Sequence, residues 1–186
     1  MEPWTWIVIA VVVVVLIALV AWYLMGREKR RLKKQFGPEY ERTVRRHDDK
    51  DAAHDELDGR VQRRESYDLR SLDSDERDRY VQRWRTLQRH FTKQPATGLL
   101  EADELLAELL RDVGYPAESF EQQAADLSAA DGDVVSEYRD GHAVVADVQQ
   151  GRAGTEEIRT ALLRYRDVFE RVAETDVSEA TREETS

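Results

Sequence analysis

The chain of 186 residues contains no cysteine. This absence excludes disulfide bonds, thiol catalysis and cysteine-ligated metal sites, and it suits a reducing compartment. No stretch alternates apolar and polar residues between turn signals, so no β-strand is predicted. The sequence also lacks a Ser-His-acid arrangement, a glycine-rich phosphate loop and a clustered carboxylate motif. It therefore favours a protein that is not an enzyme and that needs no cofactor or metal.

What the chain does have is a long apolar run near its start. No charged side chain occurs between Glu2 and Arg27, and residues 4–25 are apolar apart from Thr5. At about 1.5 Å per residue, a helix of this run is roughly 33 Å long, which is enough to cross a bilayer. Aromatic side chains that suit the membrane interface lie near its two ends: Trp4, Trp6, Trp22 and Tyr23. The sequence thus predicts a transmembrane anchor within residues 1–26.

A basic flank, residues 27–35, follows the apolar run. Its cationic side chains are Arg27, Lys29, Arg30, Arg31, Lys33 and Lys34. Because basic clusters stay on the cytoplasmic side, we expect a single-pass cell-membrane protein with its N-terminus outside and its C-terminal domain in the cytoplasm. The same six residues are candidates for contact with anionic lipid. A cleaved signal peptide is the rival interpretation, but such a peptide has a shorter apolar core and a basic N-terminus.

Charge is distributed unevenly over the rest of the chain. Residues 27–94 hold 20 basic and 15 acidic side chains, whereas residues 95–186 hold 8 and 22. The arginines and aromatic residues of 77–91 superficially suggest nucleic-acid binding. At helical spacing, however, the aromatic residues share one core-like face and the arginines scatter over the others, beside a strongly acidic half. No nucleic-acid partner is therefore predicted.

Residues 36–70 are predicted to form a charged helical spacer. Gly37-Pro38 marks its start, and a sparse apolar stripe runs along one face. A helix this polar is usually solvated, although it can also serve as one strand of a partner-dependent coiled coil. His47, Asp51 and His54 share one face of this helix, but a metal would need a further ligand, so solvated side chains are the preferred interpretation.

Residues 71–173 show the denser pattern of a small bundle of about five helices, which makes the predicted fold all-α. Asp73 and Glu76 have the spacing of a capping box at the start of the first helix. The apolar faces of the five helices include Tyr80, Trp84, Leu99, Leu106, Phe120, Leu127, Val134, Tyr138, Ile158, Tyr165 and Phe169. Residues 174–186 are acidic and rich in Ser, Thr and Glu, so a disordered tail is predicted.

The segment Phe36-Gly37-Pro38-Glu39-Tyr40 resembles one found in uncharacterised single-span membrane proteins of actinobacteria, where it follows a membrane helix and a basic flank. Later pieces that look similar are Tyr80-xxx-Trp84, Gly114-Tyr115-Pro116 and Tyr165-Arg166. The resemblance implies the architecture given above, with a helical cytoplasmic domain, and it implies no activity.

The predicted function is that of a membrane-tethered protein-interaction or scaffold module with an unidentified protein partner and the lipid bilayer as its anchor. One alternative is a small-ligand binder or enzyme with a site between the bundle helices, for which His142 and nearby acids are the candidates. A further alternative is an anionic-lipid surface binder that acts through the basic flank. Homo-oligomerisation through the membrane helix is unsupported, since that segment has no small-residue face.

Overall fold

The computed structural model describes residues 12–16, 31–47, 49–116 and 119–183, together with Trp4 and Leu19. Every regular element in these ranges is an α-helix, so the predicted all-α class is confirmed. Seven helices are labelled here in chain order: α1 Pro38–Arg46, α2 Lys50–Glu65, α3 Ser74–Phe91, α4 Pro95–Asp112, α5 Phe120–Ser128, α6 Gly132–Gln149 and α7 Thr155–Glu183.

Most of the predicted transmembrane anchor, residues 1–26, lies outside the described residues. Of this segment the structure describes Trp4, residues 12–16 and Leu19, all of which are helical. None of the helices described in the chain combines the length and the apolar character that a membrane crossing requires.

Helices α3 to α7 pack around the main hydrophobic core, as the bundle prediction requires. Helix α7 lies against α4 and α6, and α3 completes the group by packing on α4. The aromatic residues of the predicted faces meet inside, where Trp84 stacks on Phe169 with ring centroids 4.8 Å apart. Core residues that are fully buried include Leu99, Ala102, Leu106, Leu110, Val135, Ala161 and Val168. The amphipathic stripes therefore identify the core of the bundle correctly.

The predicted capping box at the start of α3 is present. Asp73 Oδ1 accepts a hydrogen bond from Glu76 N at 2.7 Å, and Asp73 N donates to Glu76 Oε2 at 3.1 Å. Arg70 also donates to both carboxylate oxygens of Glu76, at 2.7 and 3.0 Å. These bonds from Arg70 and then from the Asp73 backbone lower the pKa of Glu76 to about 2, so the cap keeps its charge.

The segment 36–70 differs from the predicted spacer. It forms two helices, α1 and α2, which run antiparallel and pack on α6 and α5 respectively. Helix α1 ends where His47 takes an extended conformation, and α2 begins after Asp49, whose side chain accepts a hydrogen bond from Asp51 N at 3.1 Å. Because the turn reverses the chain, the apolar residues of the two helices face each other and the bundle, where they are shielded from solvent.

A second, smaller hydrophobic core lies beneath this hairpin. It consists of the buried residues Leu32, Phe36, Leu57 and Ala129, with Tyr40 and Val61 at its edge. Residues 31–36 are helical and thereby carry the chain from the basic flank directly into this core. The described part of the flank is consequently continuous with the folded domain.

Gly132 permits a close backbone approach between Phe36 and the start of α6. A Cβ atom on Gly132, the first residue of α6, would lie 2.0 Å from the carbonyl oxygen of Phe36. Gly37, which follows Phe36 in the chain, has φ +49, a left-handed conformation that favours glycine. The two glycines together let the chain turn into α1 in direct contact with the start of α6.

The C-terminal segment also differs from its prediction, because α7 extends to Glu183. Residues 174–183 are thus helical, where composition predicts disorder. No glycine or proline follows Gly154, and the glutamate, alanine and arginine residues of this stretch are good helix formers. The predicted tail therefore continues the last bundle helix, and residues 184–186 lie outside the described ranges.

Replacing Gly132 by alanine should destabilise the domain by about 1–3 kcal/mol or more, because the new methyl group has to displace the backbone of Phe36. Thermal unfolding followed by circular dichroism measures the effect. Gly59→Ala is the matched control: its Cβ would meet only the end of the Arg63 side chain, at 3.6 Å, inside α2. That variant should gain up to about 1 kcal/mol in stability. Equal melting temperatures for the two variants would contradict the close approach.

Candidate functional site

A buried ion cluster joins the α1–α2 hairpin to the bundle. Glu39, in the first turn of α1, lies between Arg60 of α2 and Arg139 of α6, and the three side chains are 3%, 1% and 3% exposed. Arg60 Nη1 donates to Glu39 Oε2 at 3.3 Å. Arg139 Nε lies 3.1 Å from Glu39 Oε1, close enough for an ion pair but without hydrogen-bond geometry. One carboxylate thus bridges two guanidinium groups that belong to different helices.

Groups at the edge of the cluster give the two arginines further hydrogen bonds. Arg60 Nη1 also donates to Ser128 Oγ at 3.1 Å, and Arg60 Nε donates to Glu56 Oε1 at 3.1 Å. Arg139 Nη1 donates to Glu121 Oε2 at 2.6 Å. The Glu39 cluster is defined here as Glu39, Glu56, Arg60, Glu121, Ser128 and Arg139. It connects four helices: α1, α2, α5 and α6.

The local sequence explains how Glu39 reaches this place. Phe36 is fully buried in the small core, and Gly37 turns the chain. Pro38 then starts α1, since proline suits the first turn of a helix. Glu39 follows in that first turn, where the helix dipole favours a negative charge. The oxygen of the Tyr40 hydroxyl lies 3.0 Å from His54 Nε2, which ties α1 to α2.

The pKa values of the peripheral carboxyls show that the cluster holds its charge. Burial pushes the pKa of Glu56 upward, but hydrogen bonds from His47 and Arg60 outweigh it and leave that pKa below its ordinary value of 4.5. The pKa of Glu121 is lowered in the same way, with burial opposed by Arg139. Both groups are therefore ionised near neutral pH, which suits a permanent electrostatic contact rather than proton transfer.

The cluster specifies one docking arrangement of the hairpin. A buried ion pair contributes little net stability compared with apolar packing, because both charges lose their hydration. Removal of a single partner is costly, however, since the remaining charge stays buried and uncompensated. Helices α1 and α2 thus cannot slide along α5 and α6 without separating Glu39 from Arg60 or Arg139.

A second polar cluster lies between α4, α6 and α7 and contains His142. His142 Nδ1 lies 2.8 Å from Asp103 Oδ1, and the Tyr165 hydroxyl donates to the same oxygen at 2.5 Å. The His142 ring stacks on Phe120 with centroids 3.5 Å apart. The Asp103 side chain, which comes from α4, is only 20% exposed. The structure therefore brings His142 and one of the candidate acids together.

The geometry of this second cluster is that of a packed, hydrogen-bonded network. A histidine paired with a carboxylate resembles part of a catalytic triad, which also needs a nucleophile within reach. The hydroxyl that is present belongs to Tyr165 and already donates to Asp103. Burial, followed by the charge of Asp103 and its hydrogen bond, raises the Tyr165 pKa strongly, so this hydroxyl stays neutral. Its contacts assign the network a structural role.

A cavity of about 280 Å³ opens where the connector after α2 passes the ends of α4 and α5, the start of α6 and the side of α7. Its apolar lining is Leu69, Val113, Leu127, Val134 and Val172, and its basic lining is Arg64, Arg70 and Arg171. Ser71, Tyr115, Ala130 and Asp131 complete the wall. We refer to this cavity as the arginine groove.

The arginines of the groove differ in whether an acidic side chain pairs with them. Arg70 is held by Glu76, and Arg171 Nη1 donates to Asp131 Oδ2 at 3.0 Å. The Arg64 Nε atom is buried and has no hydrogen-bond partner. Arg64 therefore brings into the groove a guanidinium group whose donors are incompletely satisfied.

The membrane-interface and lipid-contact residues of the sequence fall largely outside the described ranges. Among the predicted interface anchors, Trp4 is 63% exposed, whereas Trp6, Trp22 and Tyr23 are not described. Of the basic flank, Arg27, Lys29 and Arg30 are not described. Arg31, Lys33 and Lys34 are exposed, and Lys33 Nζ donates to Glu41 Oε1 at 3.0 Å. These three basic residues face solvent, whereas Leu32 between them in the sequence is buried.

The predicted common face of His47, Asp51 and His54 does not exist, because the helix on which it depends is interrupted at His47. His47 contacts Glu56, whereas His54 contacts Tyr40. Within the described ranges, no group of three or more metal-ligating side chains is assembled. The two histidines instead help to join α1 to α2.

The sequence did not identify most of the charged residues that form the Glu39 cluster and the arginine groove. The Phe-Gly-Pro-Glu-Tyr segment was a signal for Glu39, because such a short motif with glycine and proline marks a defined turn. Arg60, Arg64 and Arg139 had no such signal. Each lies in a run of charged or polar residues, where an exposed side chain is the ordinary expectation.

Glu39→Gln should lower the free energy of unfolding by about 3–5 kcal/mol, because it leaves two buried guanidinium groups without their shared charge. Denaturant-induced unfolding of the purified chain measures the loss. The control is Glu108→Gln, which removes one partner of the exposed Arg83–Glu108 pair and should change stability by less than about 1 kcal/mol. Losses of similar size in both variants would contradict the role assigned to Glu39.

Comparison of the chain with protein-family models, curated proteins and solved structures gave no match. The resemblance of the Phe36–Tyr40 segment to actinobacterial single-span proteins accordingly stays a prediction. Function has to be argued from the residues of this chain.

Proposed function

We propose that the protein is a single-pass membrane protein whose helical domain lies in the cytoplasm and acts as a protein-interaction or scaffold module. The observation that carries this proposal is the way Glu39 anchors the α1–α2 hairpin to the bundle. A domain that is fixed directly behind a membrane segment presents its surface in a defined orientation, which is what a scaffold requires.

Support for the membrane anchor comes from the sequence. The apolar run of residues 4–25 has the length of a bilayer crossing, and the basic flank follows it at once. The flank sets the expected orientation, with the bundle on the cytoplasmic side. The protein would then be held at the inner face of the cell membrane.

The short path from the anchor to the small core supports a domain that sits at the membrane surface. Leu32, which is 1% exposed, follows Met25 by seven residues. Even a fully extended chain of seven residues covers at most about 25 Å. With α1 and α2 folded back on α5 and α6, the bundle cannot be carried away from the bilayer as it would be by a helical stalk.

The polar groups of the domain favour interaction over catalysis. The Glu39 cluster and the Asp103–His142–Tyr165 network use their hydrogen bonds to join helices. The outward-facing features are charged helix surfaces and the arginine groove, which is a concave site with both apolar and cationic walls. Such a surface suits recognition of another molecule.

The proposal is tested by the topology of the intact chain and by what it binds in its native membrane. A reporter fused after Ser186 should register as cytoplasmic, and the chain should stay in the membrane fraction at full length. A tagged chain isolated from native membranes should carry a specific protein in fixed proportion. Glu39→Gln should reduce that amount severalfold, because the bound surface loses its fixed orientation.

The control is Glu108→Gln, which changes the same kind of side chain in an exposed ion pair and should retain the partner. A reporter signal from outside the membrane would contradict the proposed orientation. A chain that carries only lipid, with no protein in fixed proportion, would contradict the interaction role and favour binding to the membrane surface.

A further inference from the structure

The arginine groove combines an apolar floor with a cationic rim on the surface of the domain. The connector between α2 and α3 forms one wall, since Arg70 N donates to Val113 O at 3.0 Å and holds the connector against the end of α4. The floor is set by Leu127 and Val134, which also belong to the main core. The groove is thus part of the rigid bundle.

Arg64 is the member of the rim whose donors lack partners. Its side chain is half-buried in the groove, and no ion pair or side-chain hydrogen bond holds it among the described residues. Burial of an unsatisfied N–H group opposes folding. The contacts of Arg64 within the domain therefore do not offset the cost of burying its Nε–H group.

The neighbouring charges leave room for an external anion beside Arg64. Asp131 is the one acidic residue of the wall, and its carboxylate is already used. Asp131 Oδ1 accepts from Asp133 N and Val134 N at 3.0 and 3.1 Å, and its Oδ2 accepts from Arg171. Arg70 is likewise neutralised by Glu76. Among the described residues that line the groove, Arg64 is therefore the arginine that has no acidic partner.

We propose that the arginine groove binds an acidic segment of the protein partner, with an apolar side chain on the floor and an adjacent carboxylate on Arg64. This inference rests on the proposed interaction function and names the site and the chemistry of its partner. A guanidinium group pairs well with a carboxylate through parallel hydrogen bonds. The volume of about 280 Å³ is at the lower end of small-molecule pockets and suits one or two side chains of a peptide.

Replacing Arg64 should weaken the binding of an acidic peptide without lowering the stability of the domain. Arg64→Met keeps the length and the apolar stem of the side chain but removes the unsatisfied N–H groups. The melting temperature of the full chain should stay unchanged or rise, because the removed group opposes folding. Binding of an acidic peptide should weaken by about tenfold or more, which is the effect of losing a charge-assisted hydrogen bond.

The test uses the full-length chain in detergent and a displayed library of random heptapeptides. We expect the selected peptides to carry Asp or Glu beside Leu, Ile, Val or Phe. Synthetic copies should bind the native chain at least about tenfold more tightly than they bind Arg64→Met, and replacing their acids by amides should have a similar effect. The matched control is Arg159→Met, which removes an exposed arginine twelve residues before Arg171 on α7, about 18 Å along the helix.

Three results would overturn this inference. The first is selection of peptides that bind native and Arg64→Met chains equally. The second is the absence of any enriched peptide. The third is binding of acetate or inorganic phosphate as tight as that of the peptide, because the apolar floor would then contribute nothing. None of these bears on whether a protein copurifies from native membranes, so the proposed function stands or falls separately.

Discussion

The carboxylate of Glu39 is shared by two buried arginines, and the docking of the α1–α2 hairpin on the bundle depends on that contact. Arg60 and Arg139 belong to different helices, so neither guanidinium group can leave without stranding a buried charge. The small apolar core of Leu32, Phe36 and Leu57 lies beside the Glu39 cluster and depends on the same docking. Together they make the α1–α2 hairpin part of the folded domain and fix its position on the bundle.

The bundle could be predicted from the sequence because the apolar face of each helix is set by residues close together in the chain. Apolar residues at helical spacing, as at Tyr80 and Trp84, specify a buried face whatever the neighbouring helix is. The hairpin could not be predicted in this way, since its apolar stripe is thin and its centre is ionic. In the sequence, Arg60 looks like an ordinary surface arginine. It is buried because the fold brings Glu39 and Ser128 to it from distant positions in the chain. His47 illustrates the same limit, because helical spacing places a side chain correctly only while the helix continues.

The two arginine sites differ in whether the buried guanidinium group has charged partners inside the domain. In the Glu39 cluster each guanidinium group is buried and matched by carboxylates, so its contribution is to fix geometry. In the arginine groove the Arg64 Nε atom is buried and unmatched, which opposes stability. Arg64 and Arg70 come from the basic part of the chain, residues 27–94, whereas most of the groove wall comes from the acidic part, residues 95–186.

The distance between Lys34 and Glu65 tests the docked hairpin most directly. The chain has no cysteine, so Lys34→Cys and Glu65→Cys place two spin labels without background, and both positions are exposed. Pulsed electron paramagnetic resonance on the full chain in lipid nanodiscs should give one narrow distance below about 30 Å, because α2 returns beside α1 at a helix spacing of about 10 Å. A straight helical stalk would instead separate the two positions by about 46 Å. A distance near that longer value would contradict the hairpin and its fixed position on the bundle.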